Sequence, residues 1–284
     1  MKSPWEPLDR RARPLLGTIV ELGLRGGGPE VFSAAFERIG FVHDLMSAHS
    51  IDSDLGRIAS EAHLRAVTVD PATAEVLRLS LEWAEASSGA FDPVRAGVEL
   101  VHLGRRPWFL AEFPDRLATW RDLSVEGVRV TAARPLAIDL GGIAKGYAVD
   151  LAAGVIAASG CSGVVNAGGD IRFIGDELRT VFLKRPDEEG GLSELREIPF
   201  PALATTASYG FSEEEGNFDL VDPLTRKPPS SGFSITVFAD CCTLADAMTK
   251  AVMNLPEDQA ADLLKRFGCS ALILKSGGKF RELP

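Results

Sequence analysis

The chain is poor in the residues that staple small proteins or hold structural metals. Its 284 residues include four cysteines, Cys161, Cys241, Cys242 and Cys269. None stands in a C-x-x-C pair and two are adjacent, which excludes zinc-type spacing and a disulfide framework and leaves small buried hydrophobes as the reading. Such thiols suit a reducing compartment. The four histidines, His43, His49, His63 and His102, form no metal-spaced cluster. Long apolar runs are also missing, and none nears the ~20 residues that a membrane span needs. The start from Met1 to Pro14 is charged and Pro-interrupted, with no apolar h-region and no early Cys for a lipid, so the expectation is a cytoplasmic protein without a signal segment. Basic residues are outnumbered, 30 Lys and Arg against 40 Asp and Glu, a formal net charge of −10. That excludes nonspecific binding to nucleic acid or to an anionic membrane, and means an anion must be held by a local arrangement of donors. Repeats, low-complexity tracts, a Walker pattern and a G-x-G-x-x-G fingerprint are all absent.

What remains is ordinary globular material, 45% hydrophobic and 25% charged. A chain of this size buries roughly 70–75% of its unfolded surface without help from staples. Leu15 to Leu24 reads as a strand, and Glu30 to Met46 as an amphipathic helix, with Val31, Phe32, Ala35, Phe36 and Ile39 at helical spacing. Ser53 is placed to cap a short helix, and Pro71 to open another over Ala72 to Ser87. Asp92-Pro93 reads as a loop, and Val101 to Thr119 shows no period. Leu123 to Val130 and Leu136 to Leu140 read as strands, Ala144 to Ser159 as a helix, and Val164 to Ile174 as a strand broken by Gly-Gly. Thr180 to Leu183, Leu195 to Phe200, Phe233 to Ala239 and Ala271 to Leu274 read as strands, and Leu244 to Leu255 and Pro256 to Phe267 as helices. The alternation predicts one compact α/β (α+β) unit over residues 1–284, with subdomains rather than separate domains.

Chemistry concentrates in Leu136 to Gly175. Gly141-Gly142 precede Lys145 and Gly146 at the mouth of a helix, where free backbone N–H groups, the helix dipole and a lysine suit a phosphate. Alone, such a Gly-Gly is commonly a turn. Asn166-Ala167-Gly168-Gly169-Asp170 is either a hairpin turn or a close backbone approach to a heterocycle or ribose. Two Gly-rich breaks in one strand–helix–strand unit favour a nucleotide-like ligand. Further on, Asp246 and Lys250 stand four apart on a helix and read as an exposed ion pair worth a few tenths of a kcal/mol.

Together these elements resemble the ApbE-like flavin transferases, the FAD:protein FMN transferases. Leu16-Gly17-Thr18, Met46-Ser47 with Asp52 to Leu55, Ser88 to Pro93, the run Ile138 to Asp150, the run Asn166 to Asp170, Ala204-Thr205-Thr206, Val221-Asp222-Pro223 and Ala245-Asp246-Ala247 follow the family's order. The resemblance implies mixed sheets and helices in two subdomains flanking an FAD cleft. Thr18, Met46, Asp92, Lys145, Asn166, Ala167, Gly168, Gly169, Asp170, Thr205 and Thr206 would contact the dinucleotide. It also implies Mg²⁺ on the pyrophosphate, with Ala144 (through its carbonyl) and Asp246 as ligands, and Thr249 as the candidate for a hydroxyl ligand. Catalysis would fall to Asp246, Lys250 and Asp219. The implied reaction is Mg-dependent transfer of the FMN moiety of FAD to a Thr or Ser hydroxyl of an acceptor flavoprotein, with AMP released. FAD pyrophosphatase activity, or FAD binding without chemistry, are the alternatives. No nucleic acid and no membrane span are expected.

Three departures bear on that reading. Lys250 stands where relatives carry a hydroxyl ligand, so either Thr249 takes part or Lys250 partly replaces the cation. Asp219 stands where they carry His, and its reference pKa is far lower. Ala207 and the residues after it lack the family's arginine-bearing stretch, which removes a phosphate contact. His49 falls in a loop where relatives carry an aromatic, a place for stacking on flavin or adenine.

Overall fold

The computed structural model describes residues 8–108, 110, 112–175, 179–184, 192–207, 220–229, 232–275 and 279–284. In chain order the elements are β1 (Asp9–Leu15), β2 (Thr18–Arg25), α1 (Pro29–Leu45), α2 (Asp54–Glu61), β3 (Val67–Thr68), α3 (Pro71–Ala86), α4 (Pro93–His102), β4 (Leu123–Glu126) and β5 (Arg129–Ala132). There follow α5 (Ala144–Ala158), β6 (Ser162–Ala167), β7 (Asp170–Ile174), β8 (Arg179–Lys184), β9 (Leu192–Ile198), β10 (Ala202–Ala207), β11 (Phe233–Ala239), α6 (Cys242–Asn254), α7 (Glu257–Arg266), β12 (Ser270–Lys275) and β13 (Lys279–Leu283).

The main sheet has eight strands in the order β1-β2-β6-β7-β10-β11-β12-β13. Every neighbouring pair is antiparallel. Helices α1, α5 and α6 pack together and against this sheet. The β8–β9 hairpin supplies Val181, Leu183 and Ile198 to a second, smaller core with Leu203, Phe238 and Leu272. A three-stranded sheet, β3-β5-β4, forms a smaller layer near α2 and α3. The principal core is continuous between the layers, running from Val20 and Leu22 through Val76 and Leu77 to Val130. This is the α+β arrangement expected of an antiparallel sheet with its helices segregated. No helix among the described residues is long and apolar enough to cross a membrane. All four cysteines are free, and only Cys241 is not buried.

Local chemistry explains most element boundaries. Ser53 caps α2 by accepting the Gly56 N–H at 3.0 Å, and Asp70 caps α3 by accepting the Ala72 N–H at 2.8 Å. Three expectations are corrected. Leu15 to Leu24 holds a strand, β2, only from Thr18 onward: Leu15 ends β1, and Leu16 and Gly17, at φ 55° and 71°, form the turn of the β1–β2 hairpin. Asp92-Pro93 is not simply a loop: Asp92 accepts the Val94 and Arg95 N–H groups and starts α4, with Pro93 in its first turn. Leu136 to Leu140 forms no strand. It lies extended against α4, where the Asp139 N–H donates to the Pro93 carbonyl and a Cβ on Gly97 would sit 2.7 Å from the Asp139 nitrogen.

Candidate active site

Two helices meet almost without side chains between them. A Cβ on Gly146 would lie 2.7 Å from the Cys242 carbonyl carbon and 2.9 Å from Thr243 Cα, so only glycine permits the approach of α5 to α6. One turn further along α5, Asp150 reaches the start of α6. It accepts the Cys242 N–H at 3.0 Å, the Thr243 N–H at 2.8 Å and the Thr243 hydroxyl at 2.6 Å. The cap residue of α6 itself, Cys241, makes no side-chain capping bond. Asp150 therefore caps α6 from a neighbouring helix and fixes its register against α5.

That register brings four charges together. Lys145 Nζ donates to Asp170 Oδ2 at 2.6 Å and lies 3.3 Å from Asp246 Oδ2. Lys250 Nζ donates to Asp246 Oδ1 at 2.7 Å and to Thr249 Oγ1 at 2.9 Å. The Gly146 N–H adds a bond to Asp246 Oδ2 at 3.3 Å. Asp246 and Thr249 have no exposed surface at all, and Asp170 keeps 2%. Asp246 and Lys250 are thus not the exposed helical pair that their spacing suggests. They belong to a buried set of two carboxylates and two ammoniums with no net charge, in which removing one partner strands another.

The Thr249 hydroxyl is saturated. It donates its single proton to the Asp246 carbonyl at 2.7 Å, so Thr206, 2.7 Å away, must donate to it, as Lys250 also does. The electrostatics follow the burial. Burial would lower the Lys145 ammonium, but the Asp170 and Asp246 carboxylates outweigh it and hold the lysine well above its ordinary value. Burial would raise Asp246, yet Lys145 and Lys250 pull it below the usual carboxylate range. Asp170 rises, because burial and the neighbouring Asp246 charge together exceed the pull of Lys145.

Above this set opens a cavity of about 550 Å³, within the range of small-molecule sites. Of the residues expected from sequence, Met46, Asp92, Ala144, Lys145, Gly168, Thr205, Thr206 and Lys250 line it, as do Gly141, Gly142 and the exposed His49. Asp246, Thr249 and Asp170 do not line it; the carboxylates reach it through the two lysines, and Thr249 through Lys250 and Thr206. Asn166 and Gly169 line a second cavity of about 620 Å³ that also borders Gly168 and Thr205. Asn166 there accepts the Gly169 N–H at 3.0 Å and shapes the turn between β6 and β7. Ala167 is fully buried. Thr18 presses on that turn, since a Cβ on Gly168 would lie 2.6 Å from its Oγ1. Asp92 is buried, with Oδ1 committed to Val94, Arg95 and Trp120 N–H groups, and burial raises its pKa. Asp219 and the residues that follow Ala207 lie outside the described residues.

Sequence reasoning missed two contributors. Arg106 lines the cavity and pairs with Asp139 at 2.6 Å, while Asp139 Oδ1 accepts the Gly141 N–H and shapes the Gly-Gly turn. The partners are 33 positions apart and Arg106 sits in an aperiodic stretch, so no local signal marks it. Asn254, at the end of α6, donates to the Ala90 carbonyl at 2.9 Å and ties the helix to the loop before α4.

The donor set does not suit a divalent cation as it stands. Mg²⁺ demands near-octahedral oxygen ligation at ~2.0–2.1 Å. Both oxygens of Asp246 are already engaged by ammonium or N–H donors, and Thr249 has no lone pair to spare. Among the described residues, no group of three or more His, Cys, Asp or Glu side chains is arranged to hold a metal.

The ApbE family model matches residues 16–273. A curated FAD:protein FMN transferase of Rhodobacter capsulatus is 28% identical over 222 residues, covering 72% of this chain and 42% of that protein. The chain thus spans less than half the length of this relative. The FAD:protein FMN transferase of Treponema pallidum is 27% identical over 303 residues, covering 93% of this chain and 83% of that protein. In fold, the chain is similar to the ApbE protein of Thermotoga maritima, with TM-score 0.83, 24% identity and 96% of each chain covered. It is similarly close to the flavin transferase ApbE of Vibrio cholerae, with TM-score 0.81, 22% identity and 97% of each chain covered.

Proposed function

Because the chain belongs to the ApbE family, we propose that it is a transferase that moves the FMN moiety of FAD onto a Thr or Ser hydroxyl of an acceptor protein and releases AMP. The observation that carries this reading is the convergence on one cavity of Gly141, Gly142, the start of α5 and the ammoniums of Lys145 and Lys250. Those are donors of the kind a pyrophosphate needs, in a chain that is otherwise acidic.

In the proposed reaction the acceptor hydroxyl attacks the FMN-side phosphorus. A new P–O bond forms, the pyrophosphate P–O bond breaks, and AMP departs with the bridging oxygen. The hydroxyl proton passes to a base, for which Asp219 is the candidate on sequence alone. Positioning and charge neutralisation dominate such transfers. Lys145 and Lys250 face the cavity with their charges oriented by Asp170 and Asp246, so they need no reorganisation to meet phosphate oxygens. Met46 and His49 lie on the wall reached from the end of α1 and are proposed to flank a ring system. Mg²⁺ was implied by the family resemblance. The oxygens that would hold it are engaged by Lys250 and Thr206.

The test is incubation with FAD and a candidate acceptor bearing a Thr or Ser target, with and without Mg²⁺. Flavin fluorescence retained on the denatured acceptor, with AMP in equal amount, supports transfer. Free FMN and AMP with an unlabelled acceptor would replace transfer by hydrolysis. Intact FAD under every condition would reduce the protein to a flavin binder.

A further inference from the structure

We propose that the ammonium of Lys250 is the resident cation of this phosphate site, so that the chain binds a pyrophosphate-containing ligand without a divalent metal. The identity of that ligand as FAD rests on the flavin-transfer reading; the nature of the cation does not.

Lys250 Nζ sits as a coordinated cation would, among three oxygens. These are Asp246 Oδ1 at 2.7 Å, Thr249 Oγ1 at 2.9 Å and the Asp246 carbonyl at 3.4 Å. The first two come from residues with no exposed surface. A fully buried carboxylate must be paired, and Asp246 Oδ1 has Lys250 as a strong partner, with Lys145 at 3.5 Å as a weaker one. Displacing Lys250 would leave that oxygen short of charge, and a metal arriving beside it would meet two ammoniums.

The surroundings are shaped to the lysine. A Cβ on Gly142 would lie 3.0 Å from Lys250 Cγ and 3.4 Å from Cε, so the aliphatic stem occupies space that the glycine leaves open. The side chain is 12% exposed, and its residue borders the cavity. The ammonium has three donors, two of them in short bonds to Asp246 Oδ1 and Thr249. Its weakest contact, at 3.4 Å to a carbonyl, is the one that an incoming phosphate oxygen would replace.

The experiment is isothermal titration calorimetry on the whole chain with FAD, and separately with Mg²⁺ alone, in metal-free buffer containing EDTA where FAD is titrated. The expected result is that FAD affinity differs by less than about threefold between EDTA and Mg²⁺, and that Mg²⁺ alone gives no saturable heat. In Lys250→Thr the affinity in EDTA should fall at least about tenfold, the loss of one charge-assisted bond. Added Mg²⁺ should restore it, because a hydroxyl and a vacated carboxylate oxygen then become available. Wild-type FAD binding that is lost in EDTA and regained with Mg²⁺ would overturn the inference, and so would saturable binding of Mg²⁺ to the flavin-free wild type. Failure to bind FAD under every condition would remove the flavin-transfer reading instead. The Mg²⁺ titration of the wild type would still decide the cation, whatever the folding of the variant.

Discussion

Replacing Asp150 by Ala tests whether the site depends on one helix being capped by another. Three donors lose their acceptor, the Cys242 and Thr243 N–H groups and the Thr243 hydroxyl. Loss of an N-cap costs about 0.5–2 kcal/mol. Cys242 is fully buried, and a buried donor left unmet adds about 1–3 kcal/mol. The Asp150 side chain is 21% exposed, so water recovers part of that loss. The expected destabilisation is about 2–3 kcal/mol, which for a chain of this size lowers Tm by about 3–5 °C. Urea unfolding followed by far-ultraviolet circular dichroism would read it as a lower midpoint with unchanged slope. Asp150→Asn keeps one acceptor oxygen and should lose about half as much. A destabilisation by Asp150→Ala of less than about 0.5 kcal/mol would refute the reasoning, for it would mean that α6 is held in register by packing alone.

Two glycines in α5 should respond oppositely to the same change. Gly146→Ala forces backbone apart at Cys242 and Thr243 and should destabilise by about 1–3 kcal/mol or more. The exposed Gly154, with nothing within 4 Å of its Cβ position, should gain about 0.5–1 kcal/mol as Ala; equal effects in urea melts would contradict the close approach of the helices. Tyr147 donates to Glu75 Oε2 at 2.7 Å, and burial together with that carboxylate holds its phenol above the ordinary value. A raised pKa means that the group's contribution to stability is complete below about pH 10 and is lost as pH rises through the folded-state value. Tyrosinate absorbance of wild type and Tyr147→Phe should therefore coincide until the fold opens in alkali, and a difference at pH near 10 would show the phenol to be free.

How far the sequence could be read depended on whether the deciding interactions were local. The Ser53 cap, the Pro71 start and the period of α1 involve residues within a turn of one another, and each of those elements forms as expected. The helix α4 carried the same kind of signal in Asp92-Pro93, with Val94, Val98 and Val101 at helical spacing, but Gly97 and the β-branched valines have low helix propensity and the segment is short. Leu136 to Leu140 has a strand's apolar content, yet its extended backbone bonds to Pro93 rather than to a sheet. The hairpin at Leu16-Gly17 was hidden because a leucine occupies a positive φ that normally calls for Asn or Gly. In the site, Lys145 and the Gly-rich turns were legible from helix-terminus and glycine chemistry. The burial of Asp246 was not, because it depends on α6 being covered both by α5 and by β10 and β11. Lys250 looked anomalous in sequence, and the structure gives that anomaly a set of partners.

The buried charge set also constrains how the chain reaches its folded state. Lys145 and Asp246 are 101 positions apart, and Asp150 and Thr243 are 93 apart. At roughly 5–20 residues per second, translation separates the two halves of the site by about 5–20 s. During that interval Lys145 and Asp170 can pair while Asp246 has yet to emerge, and α5 presents a glycine-smoothed face with nothing against it. Closing a contact of such sequence separation is slow, because its loop entropy is lost before the contact is gained. The buried charge set is therefore assembled late, and its completion reports that the docking of α6 is done.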